Sequence, residues 1–345
     1  PFFAAAPRPS GLPRPLAFFI DPFRANRALL ADLGRLGPEQ LGPGCTVFVG
    51  NADDRNMTAL ALWLRRFPPG KAPGLVLFVR FSYFRGGRRT RQSMFLYPAF
   101  RLLERLAASR RVRLVTDSDR LAEEYKAFTS LPVSVLPIPH TAVRPSPPAA
   151  GTLDVLSPGA ARDNKGFPLL AEAIRLLHAS GRLGGLNFTL QCNTSGPAGR
   201  TPAAVAMLKS LALPCVRLVE RPVTAEEYEG MLASAGAVII PYVLDEYRAA
   251  TSGVFTEALA AGKPVAVTVG TWMAAQLERF GAGVTFPDGD AAALAGALLR
   301  LKEEREALAA RAAGSAQAWT AYHNPSNFIK ELVRAAGMTA DGERP

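Results

Sequence analysis

Cysteine and histidine are scarce in this chain, three of each in 345 residues, and the scarcity excludes several kinds of protein at once. Cys45, Cys192 and Cys215 are far apart, with no C-x-x-C pair and no neighbouring histidine. Neither a metal site nor a disulfide framework is therefore written into the sequence, and the three read as buried thiols. Long apolar runs are also missing. Stretches such as GLVLFV and GAVII are far too short to span a bilayer, and no basic segment followed by an apolar one opens the chain. The expectation is a cytoplasmic protein. Acidic residues are outnumbered, 29 against 40 Lys and Arg, and the formal charge of +11 implies an anionic partner. Nucleotide diphosphate, acidic acceptor, membrane surface and nucleic acid all qualify on charge alone.

What is present fits a soluble globular chain, 48% hydrophobic and 20% charged, and too long for one core. The second half alternates β-branched runs with helical patterns, the mark of an α/β doubly wound parallel sheet. TLDVLS reads as a strand, and FPLLAEAIRLLHASG as a helix with Leu169, Leu170, Ala173, Ile174 and Leu177 on one face and Gly181 at its stop. Strands at NFTLQC, VRLV, AVIIPY and PVAVTV follow, interleaved with helices from Thr201, from Thr224, around Glu257, over TWMAAQLERF and from Asp290. Thr224 and Glu227 have capping-box spacing.

The first half repeats the theme less cleanly, with strands at CTVFVG, GLVLFVR, VRLVT and VSVLPI and helices around 25–37, 55–66, 93–108 and 119–128. The opening PFFAAAPRPSGLPRPLAFF carries no helix or strand signal and starts at Pro1, so it reads as a trimmed or processed start. Pro-rich PIPHTAVRPSPPAAGT has the composition of a linker between two sheets. The expected division is 1–140, a linker at 141–150, 151–320, and a C-terminal helix and tail over 321–345. Two such sheets leave a cleft, and ligands bind beyond the carboxyl ends of their strands.

The loop after the first strand of the second half, SPGAARDNKGF, sets Arg162 and Lys165 between Gly159 and Gly166, with Pro168 near the start of a helix. Glycines admit close backbone approach while a guanidinium, an ammonium and a helix N-terminus favour an anion. A diphosphate clamp and a solvated basic loop both satisfy that pattern. Further on, SGVFTEALAAGKPV buries one carboxylate, Glu257, in an otherwise apolar helix. Ser252 or Thr251 can cap that helix, and Gly253 and Val254 expose first-turn N–H groups. Glu257 must reach solvent or grip something polar, and adjacent ribose hydroxyls suit a carboxylate.

SPGAARDNKGF followed by SGVFTEALAAGKPV, with TAEEYEGMLASAGAVIIPY between them, resembles the donor half of the GT-B glycosyltransferases, in particular their large retaining family 4. The likeness covers roughly residues 110–335. It implies two Rossmann-like domains facing a cleft, and an Arg and a Lys holding the donor diphosphate, here Arg162 and Lys165. It also implies a Glu on the nucleotide ribose, here Glu257, and retention of configuration. Eight residues earlier, where the family has a Glu on the donor sugar, this chain has Ala249, with Tyr247, Arg248 or Glu246 as substitutes. The family's N-terminal Gly-rich loop has no counterpart before LAFFIDPF.

The remaining motifs are less specific. Backbone near Val219 to Pro222, with Arg221, is expected to meet the base. RFSYFRGGRRTRQ, carrying Arg80, Arg85, Arg88, Arg89 and Arg91 with Tyr83 and Phe84, suits an acidic acceptor on the first domain, and equally a flexible solvated loop around Gly86 and Gly87. His140 reads as a hinge histidine satisfied by backbone, and His178 and His323 as helix-surface or packing residues. Asp117 and Asp119 have D-x-D spacing, but Asp117 or Ser118 is an obvious N-cap, and an Arg/Lys clamp makes a metal unnecessary.

The expected function is sugar transfer from a nucleotide diphosphate sugar to a glycan or lipid-linked acceptor, as in cell-envelope polysaccharide synthesis, without cofactor or metal. Peripheral contact with the inner membrane face is a further expectation, and nucleic acid is ranked low for want of a recognisable module. The alternatives are a nucleotide-sugar epimerase or hydrolase on the same fold and a non-catalytic nucleotide-sugar-binding subunit, the latter favoured by Ala249.

Overall fold

The computed structural model describes residues 14–36, 40–85, 88–90, 93–140, 151–193, 199–281 and 283–338. Backbone contacts divide them into two compact units, one formed by residues up to Leu136 together with those from Phe328 onward, the other by residues 137–327.

The first unit begins with helix α1 (Arg14–Leu33) and strand β1 (Thr46–Val49). It continues through α2 (Met57–Arg65), β2 (Gly74–Phe78), the short strands β3 (Phe84–Arg85) and β4 (Arg88–Arg89), α3 (Ser93–Ala107), β5 (Val112–Thr116), α4 (Asp119–Phe128) and β6 (Val133–Val135). Four strands form a parallel sheet in the order β1-β2-β5-β6. β2 is buried at every position, as a strand covered on both faces must be.

One expectation is corrected here. The helix expected around 25–37 starts at Arg14, inside the stretch read as signal-free, and runs through Pro22 to Leu33. Tertiary anchoring outweighs the proline: Asn26 donates to the Asp54 carbonyl at 2.8 Å and accepts from the Ala59 N–H at 2.8 Å, tying α1 to the start of α2. The basic stretch after β2, for which an acceptor site and a flexible solvated loop were both open, pairs β3 with β4 in an antiparallel ladder. Gly86, Gly87 and Arg91 lie outside the described residues.

The second unit runs β7 (Leu153–Ser157), a 3₁₀ turn (Asp163–Lys165), α5 (Phe167–Ala179), β8 (Leu186–Gln191), α6 (Thr201–Ser210), β9 (Val216–Val219) and α7 (Ala225–Ser234). It continues with β10 (Ala237–Ile240), α8 (Leu244–Tyr247), α9 (Gly253–Ala260), β11 (Val265–Thr268), α10 (Trp272–Phe280), β12 (Gly283–Phe286), α11 (Ala291–Glu303) and α12 (Arg305–Tyr322). The six strands are parallel, in the order β12-β11-β10-β7-β8-β9. Two buried clusters cover the two faces of this sheet. One gathers Ile174, Phe188, Leu190 and Leu298, the other Ile240, Phe255, Trp272 and Trp319.

Most helix starts follow the sequence. Thr224 and Glu227 form the capping box of α7, and Asp290 caps α11. Strand β12 escaped sequence reading because it opens on Gly283, where a Cβ would lie 1.9 Å from the Val265 carbonyl oxygen. Glycine there reflects close strand approach rather than a loop.

After α12 the chain makes α13 (Pro325–Ala335), whose residues from Phe328 onward complete the first unit. Phe328 packs against Phe48 and Phe78, with ring centroids 6.4 and 6.2 Å away, and Leu332 and Ala335 continue the contact. The linker expected at 141–150 lies outside the described residues.

His323 sits at the end of α12, buried and stacked on Trp319 at 4.0 Å, and its Nδ1 accepts the Ile138 N–H at 3.0 Å. His323 is thus a packing residue, one of the two roles expected of it, and it also bonds to backbone at the start of the second unit. Burial, reinforced by His140 and Arg279, pushes its pKa down to about 4. A histidine whose folded pKa is depressed stabilises the fold above its unfolded value near 6.5 and loses that contribution as pH falls toward 4. Stability should drop by about 3 kcal/mol across that window from this group alone. Denaturant titrations between pH 7 and 4 would show it, and His323→Leu should flatten the slope.

Candidate donor site

The second sheet reverses its building direction between β7 and β10: from β7 the chain adds β8 and β9 outward, then crosses to the other side of β7 for β10, β11 and β12. At such a switch point the loops leaving the two neighbouring strands diverge and open a crevice at their carboxyl ends. Here those loops are 158–166, after β7, and the segment from Pro241, after β10.

They meet backbone to backbone. Gly166 has φ +68°, and a Cβ there would lie 1.7 Å from the Pro241 carbonyl oxygen, so only glycine fits. The Val243 N–H donates to the Asn164 carbonyl at 3.0 Å, and Asn164 Nδ2 donates to Glu246 Oε2 at 2.6 Å. On its other side the loop is held by Asp163. Its carboxylate accepts from the Thr201 hydroxyl at 2.7 Å and from the Arg200 and Thr201 N–H groups at 2.8 and 2.9 Å, which caps α6 and lowers the Asp163 pKa. Gly159 N–H donates to the buried Gln191 side chain at 2.6 Å. The cation-bearing loop is thus fixed before any ligand arrives.

Arg162 and Lys165 are brought together by this bracing. Lys165 Nζ lies over the Tyr242 ring, 5.5 Å from its centroid, and burial followed by the nearby Arg162 charge pulls the Lys165 pKa down. The Arg162 charge also reaches Tyr242 and Tyr247. Two cations held so close, one of them half-buried, disfavour each other, and a bound diphosphate would offset that repulsion. Tyr242, not singled out from the sequence, is the hub: its ring lies tilted against that of Tyr247, centroids 4.3 Å apart, and it shares a hydrogen bond with Ser252. Its position just beyond the carboxyl end of β10 was the available signal.

Ser252 caps α9, its hydroxyl accepting from the Phe255 N–H at 3.3 Å. A Cβ added at Gly253 would meet nothing within 4 Å, so open space lies before the first-turn N–H groups of Gly253 and Val254. One turn further, the Glu257 carboxylate accepts a hydrogen bond from the Tyr228 hydroxyl, its one hydrogen-bond donor among the described residues. Burial, then this bond, raises the Tyr228 pKa, and the nearby Tyr242 contributes. Arg162, Lys165, Ser252 and Glu257 are therefore linked through Tyr242 and Tyr228.

Other sequence-predicted residues stand apart. Ala249 is buried just after α8 and carries no polar group for a ligand. Arg248 ends α8 on the surface. Arg221 is engaged with Glu227, Nη1 to Oε2 at 2.8 Å, and this pairing, with the Thr224 N–H, brings the exposed Glu227 carboxyl down to about 2. In the first unit, Arg80 pairs with the buried Asp117 at 3.2 Å and lies over Phe78, 5.4 Å from the ring centroid. The α4 cap is Ser118, accepting from the Leu121 N–H at 3.2 Å. Arg85 pairs through its backbone with Arg88. Among the described residues no three His, Cys, Asp or Glu side chains converge as a metal site.

Two parallel-sheet units, the second with a switch-point crevice between two braced loops, are the architecture of the GT-B fold. Solved structures of that architecture superimpose over nearly the whole chain. Sucrose-phosphate synthase from Thermosynechococcus elongatus matches with TM-score 0.68 at 15% identity, over 94% of this chain and 79% of that one. An E. coli trehalose-6-phosphate structure bound with UDP-2-fluoro glucose matches with TM-score 0.69 at 14% identity, over 95% and 80%. Anabaena HepE in complex with UDP gives 0.67 at 14%, over 89% and 81%. No curated protein matches by sequence. Residues 152–304 match the family described as Glycosyl transferases group 1. The matched segment lies within the second unit.

Proposed function

We propose that the chain transfers a sugar from a nucleoside diphosphate donor held in the second unit to an anionic acceptor met by the first. The observation that carries the donor half is the convergence of Arg162, Lys165, the open N-terminus of α9 and Glu257 around Tyr242 and Tyr228. As the glycosidic bond breaks, negative charge builds on the leaving diphosphate, and two fixed cations stabilise that state without reorganising. Glu257 accepts from the ribose hydroxyls. Glu246, held by Asn164 beside the clamp loop, meets the donor sugar in place of the carboxylate that Ala249 lacks.

Charge division supports the acceptor half. Residues up to 136 and from 328 contain 24 Lys and Arg against 13 Asp and Glu, which is the whole formal +11, whereas residues 137–327 contain 16 of each. A neutral donor unit and a basic partner unit suit a phosphorylated lipid or an acidic glycan as acceptor, and favour operation at the inner face of a membrane in polysaccharide synthesis.

The test is a thermal-shift series with UDP-, GDP- and ADP-hexoses, since a bound ligand raises Tm by mass action. One nucleotide series should protect, and Arg162→Ala should abolish the shift. Absence of protection by all three would overturn the donor reading.

A further inference from the structure

We infer that Tyr228 is a positioning residue for nucleotide recognition: its hydroxyl orients the Glu257 carboxylate toward the ribose. The inference rests on the reading of Glu257 as the ribose ligand and extends it to a residue on a different element. Tyr228 lies on α7 and Glu257 on α9, yet the phenol donates to the carboxylate, and Tyr228 is itself packed in the apolar cluster with Tyr242, Phe255 and Tyr247. On α9 itself, Phe255, Ala258, Leu259 and Ala260 are buried apolar residues and the buried Thr256 hydroxyl is spent on the Ser252 carbonyl, so the helix offers Glu257 no competing donor.

A glutamate has three side-chain torsions, and binding a diol requires them frozen with lone pairs aimed outward. One phenolic donor on one oxygen achieves that, because a phenol in a packed cluster has little freedom of its own. The second oxygen and the remaining lone pairs are then presented in one orientation, which is what discriminating adjacent hydroxyls from a single hydroxyl requires. A bond serving only to join α7 to α9 would not care which sugar the nucleotide carries.

The experiment measures dissociation constants of UDP, GDP and ADP and of their 2′-deoxy forms for the full chain and for Tyr228→Phe and Glu257→Ala, with inorganic diphosphate as a probe of the cationic loop alone. Wild type should prefer the ribonucleotide of the series it binds. Tyr228→Phe should lose that preference by roughly fivefold, about one net hydrogen bond, with diphosphate affinity unchanged. Glu257→Ala should bring the ratio close to one. A Tyr228→Phe chain that keeps the wild-type ratio while Glu257→Ala loses it overturns the positioning role and leaves the ribose reading standing. An unchanged ratio in Glu257→Ala overturns both. A parallel loss of diphosphate affinity in Tyr228→Phe assigns the bond to structure and also defeats the proposal.

Discussion

Gly166→Ala should lower the melting temperature of the second unit by roughly 6–12 °C and eliminate donor protection. Two penalties combine at this position. The backbone holds φ at +68°, a region that costs an L-residue with a Cβ about 1–2 kcal/mol. The new methyl would also lie 1.7 Å from the Pro241 carbonyl oxygen, a backbone atom that cannot swing aside, so the loops leaving β7 and β10 must separate. Together these cost about 3 kcal/mol or more. Gly181→Ala is the informative control, because Gly181 has nearly the same φ, +67°, but nothing lies within 4 Å of its Cβ. It should show the torsional penalty alone, in stability, with donor binding intact. Calorimetry of both variants, with and without the protecting nucleotide, separates strain from site disruption. Equal behaviour of the two would mean that contact with Pro241 does not brace the site.

Arg162→Ala and Lys165→Ala should each reduce kcat by about 10²–10³-fold in a transfer assay, the usual scale for removing one fixed group that stabilises developing negative charge. The pair should be non-additive, because the two cations disfavour each other and a bound diphosphate would offset that repulsion. Removing Arg162 relieves Lys165, whose pKa should move back up toward its ordinary range, detectable by NMR of the labelled ammonium. Arg162→Lys should recover little, since an ammonium cannot make the planar two-pronged contact of a guanidinium with phosphate oxygens. Losses below tenfold in both single variants would remove these residues from the chemistry.

The sequence made the second unit largely legible because its signals were local. Capping residues Thr224, Ser252 and Asp290 each announced a helix that the structure contains, and the loop with Arg162 and Lys165 lies where a strand signal ends. What stayed hidden depended on tertiary neighbours. Helix α1 crosses Pro22 and is fixed by contacts of Asn26 with the start of α2, about thirty residues on in sequence. The aromatic pair that links the candidate site, Tyr228 and Tyr242, reads in the sequence as ordinary packing, because nothing local distinguishes a core phenol from one whose hydroxyl holds a carboxylate. The departure at Ala249 was visible from the sequence. That α8 instead carries Glu246 up to Asn164 was not, because that bond joins residues more than eighty positions apart.

The first unit is closed by a helix that follows the whole second unit in sequence, since Phe328 and Leu332 cover Phe48, Phe78 and their neighbours. On the ribosome, that aromatic face must wait, uncovered, while the entire second unit emerges and folds. A domain excised at Leu136 would therefore lack its own lid, and expression of the amino-terminal half alone should give aggregation unless the carboxyl-terminal helix is supplied in trans.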